Sequence, residues 1–443
     1  MKSSRYNLLV NHPKTGEVIV YNTLYGSLTV WDSDEFAVVE RVFADPGLIV
    51  DSEILSILVS QKHLIDDHVD EIDIIKYRKI MGIEDSNRLD VIIMPTLDCN
   101  FACSYCYEVA HHSRMSLETE AAIRKWLDYQ IPTHKFLMLH WYGGEPLLGY
   151  ENVLSLSRHV ADVAASAGTS YVIHITTNGY LLNHQRIKEL LSAGIKDFQI
   201  TVDGPPETHN KLRVLKNGQG TFDRVFQNIN DLARADRDVK ITLRVNFNHS
   251  NIHAIPRLLE LFPEDIRLQL RVVYEPIFGQ CDLSATDNIA SQEISQAMAD
   301  YYVLAQQLGY DVVLSAGGIH TGKLMYCYAE REHQIIVNYN ADVYKCTVST
   351  FQPNERFGYI DDNGVLVTEG EQWNAWVNKD DLFADVCYSC IYLPLCMGGC
   401  RKMRLQHNDT GSYCSLVPTN ASYTLKQIAL TGFSDLLLQE SKR

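Results

Sequence analysis

Between about residues 90 and 310, short apolar runs alternate with longer amphipathic stretches. The short runs read as strands: Val91–Thr96, Phe136–Trp141, Tyr171–Thr177, Lys196–Val202, Val239–Phe247 and Arg267–Tyr274. The stretches between them carry helical spacing. One starts at Ser116, a suitable N-cap, and puts Ile123, Leu127 and Ile131 on one face. Repeated strand–helix units predict a parallel sheet with right-handed crossovers, and ligands in such folds sit at the carboxyl ends of the strands. Upstream, Arg5–Val10 and Glu17–Asn22 read as strands around the turn-prone His12-Pro13-Lys14-Thr15-Gly16, followed by helices near Ser33–Phe43 and Glu53–Gln61. The acidic run Asp66–Asp73 reads as a linker. After about residue 311 the periodicity weakens and cysteines crowd together, as in segments that take their stability from metal. The expected division is 1–88, 89–310 and 311–443.

Composition narrows the choices. The chain has 443 residues, 46% hydrophobic and 21% charged, enough for a large core. Its net charge of −16 and the lack of a dense Lys/Arg run argue against a nucleic-acid partner. The acidity serves solubility or favours a neutral or basic partner. No signal peptide and no run of about 18 apolar residues is visible, so neither export nor a membrane span is expected. In a reducing cytoplasm, eleven cysteines point to metal or catalysis rather than to disulfides.

Cys99, Cys103 and Cys106 form C-x3-C-x2-C just after the first strand of the repeat. Three soft thiolates on one short loop can hold three irons of a [4Fe–4S] cluster and leave the fourth iron open. A zinc knuckle is the alternative, with His111 or His112 as fourth ligand.

The octet Cys99-Asn100-Phe101-Ala102-Cys103-Ser104-Tyr105-Cys106 resembles the signature loop of the radical S-adenosylmethionine (SAM) superfamily. The resemblance implies that the open iron binds SAM, and that reductive cleavage yields methionine and a 5′-deoxyadenosyl radical. It also implies that the backbone around Tyr105 approaches the adenine. Trp141-Tyr142-Gly143-Gly144-Glu145-Pro146 resembles the family's GGE motif, which holds the SAM amino group through Gly143, Gly144 and Glu145. Thr176-Thr177-Asn178-Gly179 ends the third strand and adds Asn178. Thr201-Val202-Asp203-Gly204 resembles the Ser-x-Asp-Gly segment, with Thr201 replacing serine. Arg213, ahead of Gly218-Gln219-Gly220-Thr221-Phe222, matches the arginine expected near the SAM carboxylate. The implied fold is α/β: a partial (β/α)6 TIM-like barrel, with a small α+β N-terminal domain and a C-terminal iron–sulfur domain.

Cys387, Cys390, Cys396 and Cys400 give C-x2-C-x5-C-x3-C, with Cys327 and Cys346 before and Cys414 after. These seven resemble the SPASM extension of peptide-modifying radical SAM enzymes. That likeness implies Cys387, Cys390, Cys396 and Cys414 on an outer cluster, and Cys327, Cys346 and Cys400 on an inner one. The total is then three [4Fe–4S] clusters with SAM. Cys281 is a candidate for the missing inner ligand, or a lone buried cysteine. A structural zinc domain is the alternative for the region. Ala341 stands where the family pattern has glycine, in a turn that suits positive φ.

SPASM relatives mostly act on peptides. The resemblance therefore implies oxidation or crosslinking of a ribosomally made precursor peptide, with electrons from a flavodoxin or ferredoxin. A sulfatase-maturase-type enzyme and a catalytically silent scaffold are the alternatives. Thr347 replaces the aspartate that follows the cysteine equivalent to Cys346 in sulfatase maturases, which argues against the first. Residues 1–88 resemble a leader-peptide recognition domain, which can add a leader as an extra strand. Alternatively they cap the barrel. On the leader reading, their deletion abolishes peptide modification and spares SAM cleavage. No general base is evident.

Overall fold

The computed structural model describes residues 1–12, 14–48, 52–108, 111–277, 291–312, 324, 325, 327–368, 370–380, 382–406, 421 and 425. Cys281 and Cys414 lie outside them.

The N-terminal region holds β1 (Lys2–Ser3), β2 (Asn7–Asn11), β3 (Val18–Asn22), β4 (Leu28–Trp31), α1 (Ser33–Ala44), α2 (Ser52–Ser60), β5 (Leu64–Ile65) and α3 (Glu71–Ile83). β2, β3 and β4 form an antiparallel meander, and β1 pairs with β5. The acidic run expected to be a linker instead starts α3. The Asp70 side chain caps it, accepting from Ile72 N and Asp73 N, and Glu71 and Asp73 lie in its first turn, where the helix dipole favours anions.

Six parallel strands follow, hydrogen-bonded in chain order: β6 (Arg88–Ile93), β7 (Phe136–Trp141), β8 (Ser170–Thr177), β9 (Ile195–Thr201), β10 (Lys240–Phe247) and β11 (Leu270–Pro276). Between them run α4 (Leu117–Gln130), α5 (Tyr150–Ala167), α6 (His184–Ser192), α7 (Pro206–Leu212), α8 (Phe222–Ala235) and α9 (Ile255–Leu261). Ser116 caps α4 by accepting from Thr119 N, and Ile123, Leu127 and Ile131 are wholly buried. One face of the sheet packs on these helices through residues such as Val91, Leu139, Ile175, Phe198 and Leu243. Alternate residues on β7–β10 are polar and half-buried or buried: His140, His174, Thr176, Gln199, Arg244 and Asn246.

The sheet does not stop at β6. Its other edge takes β12 (Gln334–Val337) in parallel, followed antiparallel by β13 (Asp342–Tyr344), β14 (Gly358–Ile360) and β15 (Leu366–Thr368). Ala341, in the turn between β12 and β13, has φ +67°, the backbone conformation for which the family pattern uses glycine.

The N-terminal region packs on the C-terminal cysteine segment. Tyr6, Leu24 and Ile75 share one apolar cluster with Leu382, Phe383, Leu393 and Met397. Leu8, Val10, Ile19 and Tyr21 share another with Leu395, Ala421 and Leu425. Polar bonds join the same faces: Thr23 Oγ1 donates to Ile391 O at 2.7 Å, and Arg5 Nη2 to Tyr388 O at 2.8 Å.

Candidate active site

The three cysteines of the first loop lie beyond the carboxyl end of β6. Cys99 Sγ faces Phe101 N at 3.4 Å and Asn178 Nδ2 at 3.9 Å, both donors suited to a thiolate. Burial pushes the Cys99 thiol up to about 12, with the carboxylate of Glu145 adding to the shift. Burial also raises Cys103 and Cys106, while Arg213 opposes the rise at both. Cys103 adds to the rise at both Cys99 and Cys106. Among the described residues, no three His, Cys, Asp or Glu side chains converge at metal-ligand spacing. His111 is within 3.4 Å of Tyr339 Oη, and His112 is an exposed partner of Asp98 at 3.3 Å.

Beside the loop lies a buried polar network. The Tyr105 hydroxyl donates to Asp203 Oδ2 and accepts from Arg213 Nη1 at 2.7 Å and Asn246 Nδ2 at 3.1 Å. Asp203 is wholly buried. Its Oδ1 accepts from Asn246 N at 2.9 Å, and its backbone carbonyl accepts from Asn251 Nδ2 at 2.9 Å. Burial raises the Asp203 carboxyl, and the Arg213 guanidinium opposes that rise. His209 fixes the next layer. Its Nδ1 accepts from Asp203 N, so its Nε2–H donates to Thr221 Oγ1 at 3.0 Å, and that hydroxyl donates to Arg213 O at 2.6 Å. Arg213 is buried, and its Nε has no hydrogen-bond partner among the described residues. A buried, partly satisfied guanidinium next to three thiols suits an anionic ligand such as a carboxylate.

The Gly143-Gly144-Glu145 turn packs closely against the start of the cysteine loop. A Cβ on Gly143, whose φ is +118°, would stand 2.3 Å from Thr96 O; one on Gly144 would stand 2.4 Å from Asp98 O. The glycines thus let β7 press on the backbone of the cysteine loop. Glu145 N then donates to Asp98 O at 2.9 Å. The Glu145 carboxylate is fully buried and accepts from Leu147 N, Thr177 Oγ1 and Asn178 N at 2.8–3.0 Å. It clasps the ends of β7 and β8 together. Asn178, so placed, donates to Asn100 Oδ1 at 2.7 Å. Thr201 is buried at the end of β9, opposite Arg244 on β10. The structure therefore gathers Tyr105, Asn178, Thr201 and Arg213 at the strand ends around the loop, with Gly143, Gly144 and Glu145 as its support.

Several site residues escaped the sequence reading. Tyr107 Oη lies 2.6 Å from Tyr142 Oη. Beside them burial lifts the Glu108 carboxyl to about 7, with Tyr142 opposing through a hydrogen bond. Below, His140 Nε2 meets Thr176 Oγ1 at 2.8 Å, its ring packs edge-on against His174 at 4.4 Å, and His174 Nδ1 pairs with Asp197 at 3.1 Å. Polar residues at every second position of strands that otherwise read as apolar were the available signal.

In the C-terminal region, Cys327 is near enough to Cys346 and Cys400 for their thiolates to hinder its ionisation, although burial is the larger cause. Cys346 also lines a cavity of about 220 Å³ with Tyr344, Glu355, Trp376 and Lys402. Thr347 Oγ1 is 2.6 Å from Tyr328 Oη. Cys387, Cys390 and Cys396 follow on one short segment, and all nine described cysteines are free of disulfides.

A parallel (β/α) sheet with three thiols beyond its first strand and a buried arginine beside them defines the radical SAM class. Residues 93–262 match the Radical SAM superfamily and form a radical SAM domain. The family implies a [4Fe–4S] cluster and SAM, and the soft donor set of Cys99, Cys103 and Cys106 fits the cluster.

Among curated proteins, the chain is 24% identical over 350 residues to the serine-type anaerobic sulfatase-maturating enzyme of Bacteroides thetaiotaomicron, covering 71% of this chain and 82% of that protein. It is 26% identical over 343 residues to the PqqA peptide cyclase of Rhodopseudomonas palustris, again covering 71% and 82%. It spans about half (48%) of the Fe-coproporphyrin III synthase of Methanosarcina barkeri, at 24% identity over 46% of this chain. Among solved structures, native anSMEcpe with bound AdoMet covers 80% of this chain and 99% of its own, with a TM-score of 0.62 at 17% identity. Streptococcus suis SuiB bound to precursor peptide SuiA covers 94% and 99%, with a TM-score of 0.50 at 12% identity. These likenesses establish the fold. No helix among the described residues is long and apolar enough to cross a membrane.

Proposed function

We propose that the protein is a radical SAM maturase that oxidises or crosslinks residues of a ribosomally made precursor peptide. The carrying observation is the joint placement of Cys99, Cys103 and Cys106 with the buried Tyr105–Asp203–Arg213 network at the strand ends. When bound, the cluster and SAM would supply the radical chemistry for hydrogen-atom abstraction. The three thiolates hold the cluster. Arg213 offers its buried guanidinium to the SAM carboxylate, with Tyr105 and Asp203 fixing its orientation. Glu145 holds Asn178 and the cysteine loop in register. Tyr142, His140 and Arg244, on the polar face of the sheet, orient the peptide.

Cys327, Cys346 and Cys400 hold one auxiliary [4Fe–4S] cluster on this reading, and Cys387, Cys390, Cys396 and Cys414 hold another, as in a SPASM domain. A flavodoxin- or ferredoxin-type donor supplies the electrons. The free thiols fit a reducing, cytoplasmic setting. The sulfatase-maturating enzyme and the peptide cyclase among the relatives support a peptide or protein substrate. Thr347, paired with Tyr328, favours peptide modification over sulfatase maturation.

The test is anaerobic reconstitution, which should yield about twelve irons per chain. The reduced protein should convert SAM to 5′-deoxyadenosine and methionine. Replacing Cys99, Cys103 and Cys106 by alanine should remove about a third of the iron and all cleavage. Co-expression with small neighbouring open reading frames and mass spectrometry of the peptides should show loss of two hydrogens. Stoichiometric zinc with little iron would sink the reading.

A further inference from the structure

The six barrel strands carry three carboxylates: Asp90 on β6, Asp197 on β9 and Glu275 on β11. Two of them are paired. Asp90 meets Arg88 Nε at 2.8 Å and Arg331 Nε at 3.2 Å. Asp197 meets His174 Nδ1 at 3.1 Å. The carboxylates at the strand ends are engaged as well, Glu145 by two backbone N–H groups and a hydroxyl, and Asp203 by Tyr105 and Asn246. Glu275 differs. It makes no hydrogen bond or ion pair with any described residue, and its charge acts on the buried hydroxyl of Tyr302, on the helix Ser291–Gln307.

Its position is at the site. Val272 and Tyr274 enter the helix-side core, so Glu275, next in the strand, belongs to the polar face. In the register of β10 and β11 it stands opposite Asn246. The Asn246 amide donates to the Tyr105 hydroxyl at 3.1 Å, inside the network beside the cysteine loop. Two residues back along each strand, Arg244 stands opposite Val273. Arg244 Nε donates to Asn246 Oδ1 at 2.8 Å, and no ion pair joins Arg244 to Glu275. Glu275 is half-buried. A carboxylate taken partly out of water and left unpaired, next to an arginine that bonds elsewhere, is costly to keep unless a ligand uses it.

We propose that Glu275 is the catalytic base that takes a proton from the peptide during its oxidation. The inference rests on the maturase reading above. Loss of two hydrogens divides into a hydrogen atom, a proton and an electron. The hydrogen atom passes to the 5′ carbon of the deoxyadenosyl group derived from SAM and leaves as part of 5′-deoxyadenosine. The peptide carbon that lost it forms the new bond to a second peptide group. The bond from that second group to its own hydrogen breaks. The proton goes to a Glu275 carboxylate oxygen, and the electron goes to an oxidised iron–sulfur cluster of the C-terminal segment.

The experiment uses reconstituted full-length protein and, as probe, the synthetic precursor whose mass falls by two hydrogens on co-expression, deuterated at the modified residue. Glu275→Gln keeps the size and removes the basicity. It should bind fluorescently labelled precursor as the parent does and still pass deuterium into 5′-deoxyadenosine, while product formation falls by about 10²–10⁴-fold. Glu275→Asp keeps a carboxylate and should recover part of that loss. In the parent, carbodiimide coupling of glycine ethyl ester should label Glu275, and bound precursor should protect it. Normal product from Glu275→Gln, or labelling that precursor does not block, would overturn the inference. Lost precursor binding in Glu275→Gln would overturn it too, since Glu275 would then be a peptide contact and not the base. If Glu275→Gln loses iron, Glu275→Asp and the labelling decide: slowed product together with protection supports the proposal, and the absence of either overturns it. A parent protein that modifies no peptide encoded beside it would overturn the maturase reading, and this inference with it.

Discussion

At the scale of single residues, buried polar groups in this protein are mostly satisfied in one protonation state. His63 is an example. It is fully buried, with Nδ1 2.9 Å from Asn7 Oδ1 and Nε2 3.2 Å from Thr29 Oγ1. Nδ1 must donate to the amide oxygen, so Nε2 accepts from the hydroxyl and the ring is neutral. Burial accordingly lowers its pKa to about 4. The unfolded chain binds this proton near pH 6.5 and the folded chain only near 4. Its contribution is intact above 6.5 and is lost as pH falls toward 4. Between pH 6.5 and 5.5 that amounts to about 1 kcal/mol. Thermal unfolding of the parent and of His63→Gln across this interval should show a flatter pH dependence in the variant. Equal slopes would mean that His63 is protonated in the folded state. Ala341 shows what a sequence can tell at this scale: its departure from a glycine pattern marked the one residue of that turn with positive φ.

Among elements, the glycine turn after β7 governs the cysteine loop. Its two missing Cβ atoms would strike backbone oxygens, which cannot rotate away. Gly143→Ala and Gly144→Ala should each cost about 1–3 kcal/mol through overpacking and displace the loop. Each variant should lose up to a third of the iron on reconstitution and most SAM cleavage, while the C-terminal clusters stay loaded. Full iron with normal cleavage in both would show that the loop is set elsewhere.

The barrel strands were legible because each is a short apolar run with one helix-facing side, and most strand ends lie within a residue or two of expectation. The shared site followed from motifs at successive strand ends. β12–β15 were not legible. At three or four residues each they are too short for a period to declare itself. α3 was misread because its acidic start is a capping signal that resembles a linker in composition. Tyr107, His140 and Asn246 carried no motif, and only the folded strands and loops bring them to the site.

On the scale of the whole molecule, the N-terminal region and the cysteine segment share two apolar clusters and are not separable bodies. Removing residues 1–88 would uncover Leu382, Phe383, Leu393, Leu395 and Met397. The clean outcome anticipated from the sequence, lost peptide modification with SAM cleavage intact, is therefore not what the packing predicts. Deletion should instead lower auxiliary iron and favour aggregation, as newly exposed apolar patches do. Iron content and light scattering of the truncated protein measure this. A monodisperse product with all its iron would refute it and restore the picture of a detachable leader-binding module. In the full-length enzyme, comparison of a precursor with and without its leader then tests recognition by the meander itself.

The seam between β6 and β12 has a consequence for how the protein is made. β6 is the first barrel strand to leave the ribosome, but its outer partner is among residues 334–337. At typical rates of synthesis, that edge stays unpaired for on the order of tens of seconds. During the wait it offers a row of free amides and carbonyls to any extended chain nearby. A nascent chain halted before residue 334 leaves the β6 edge without its partner, and such fragments should need chaperones to stay in solution.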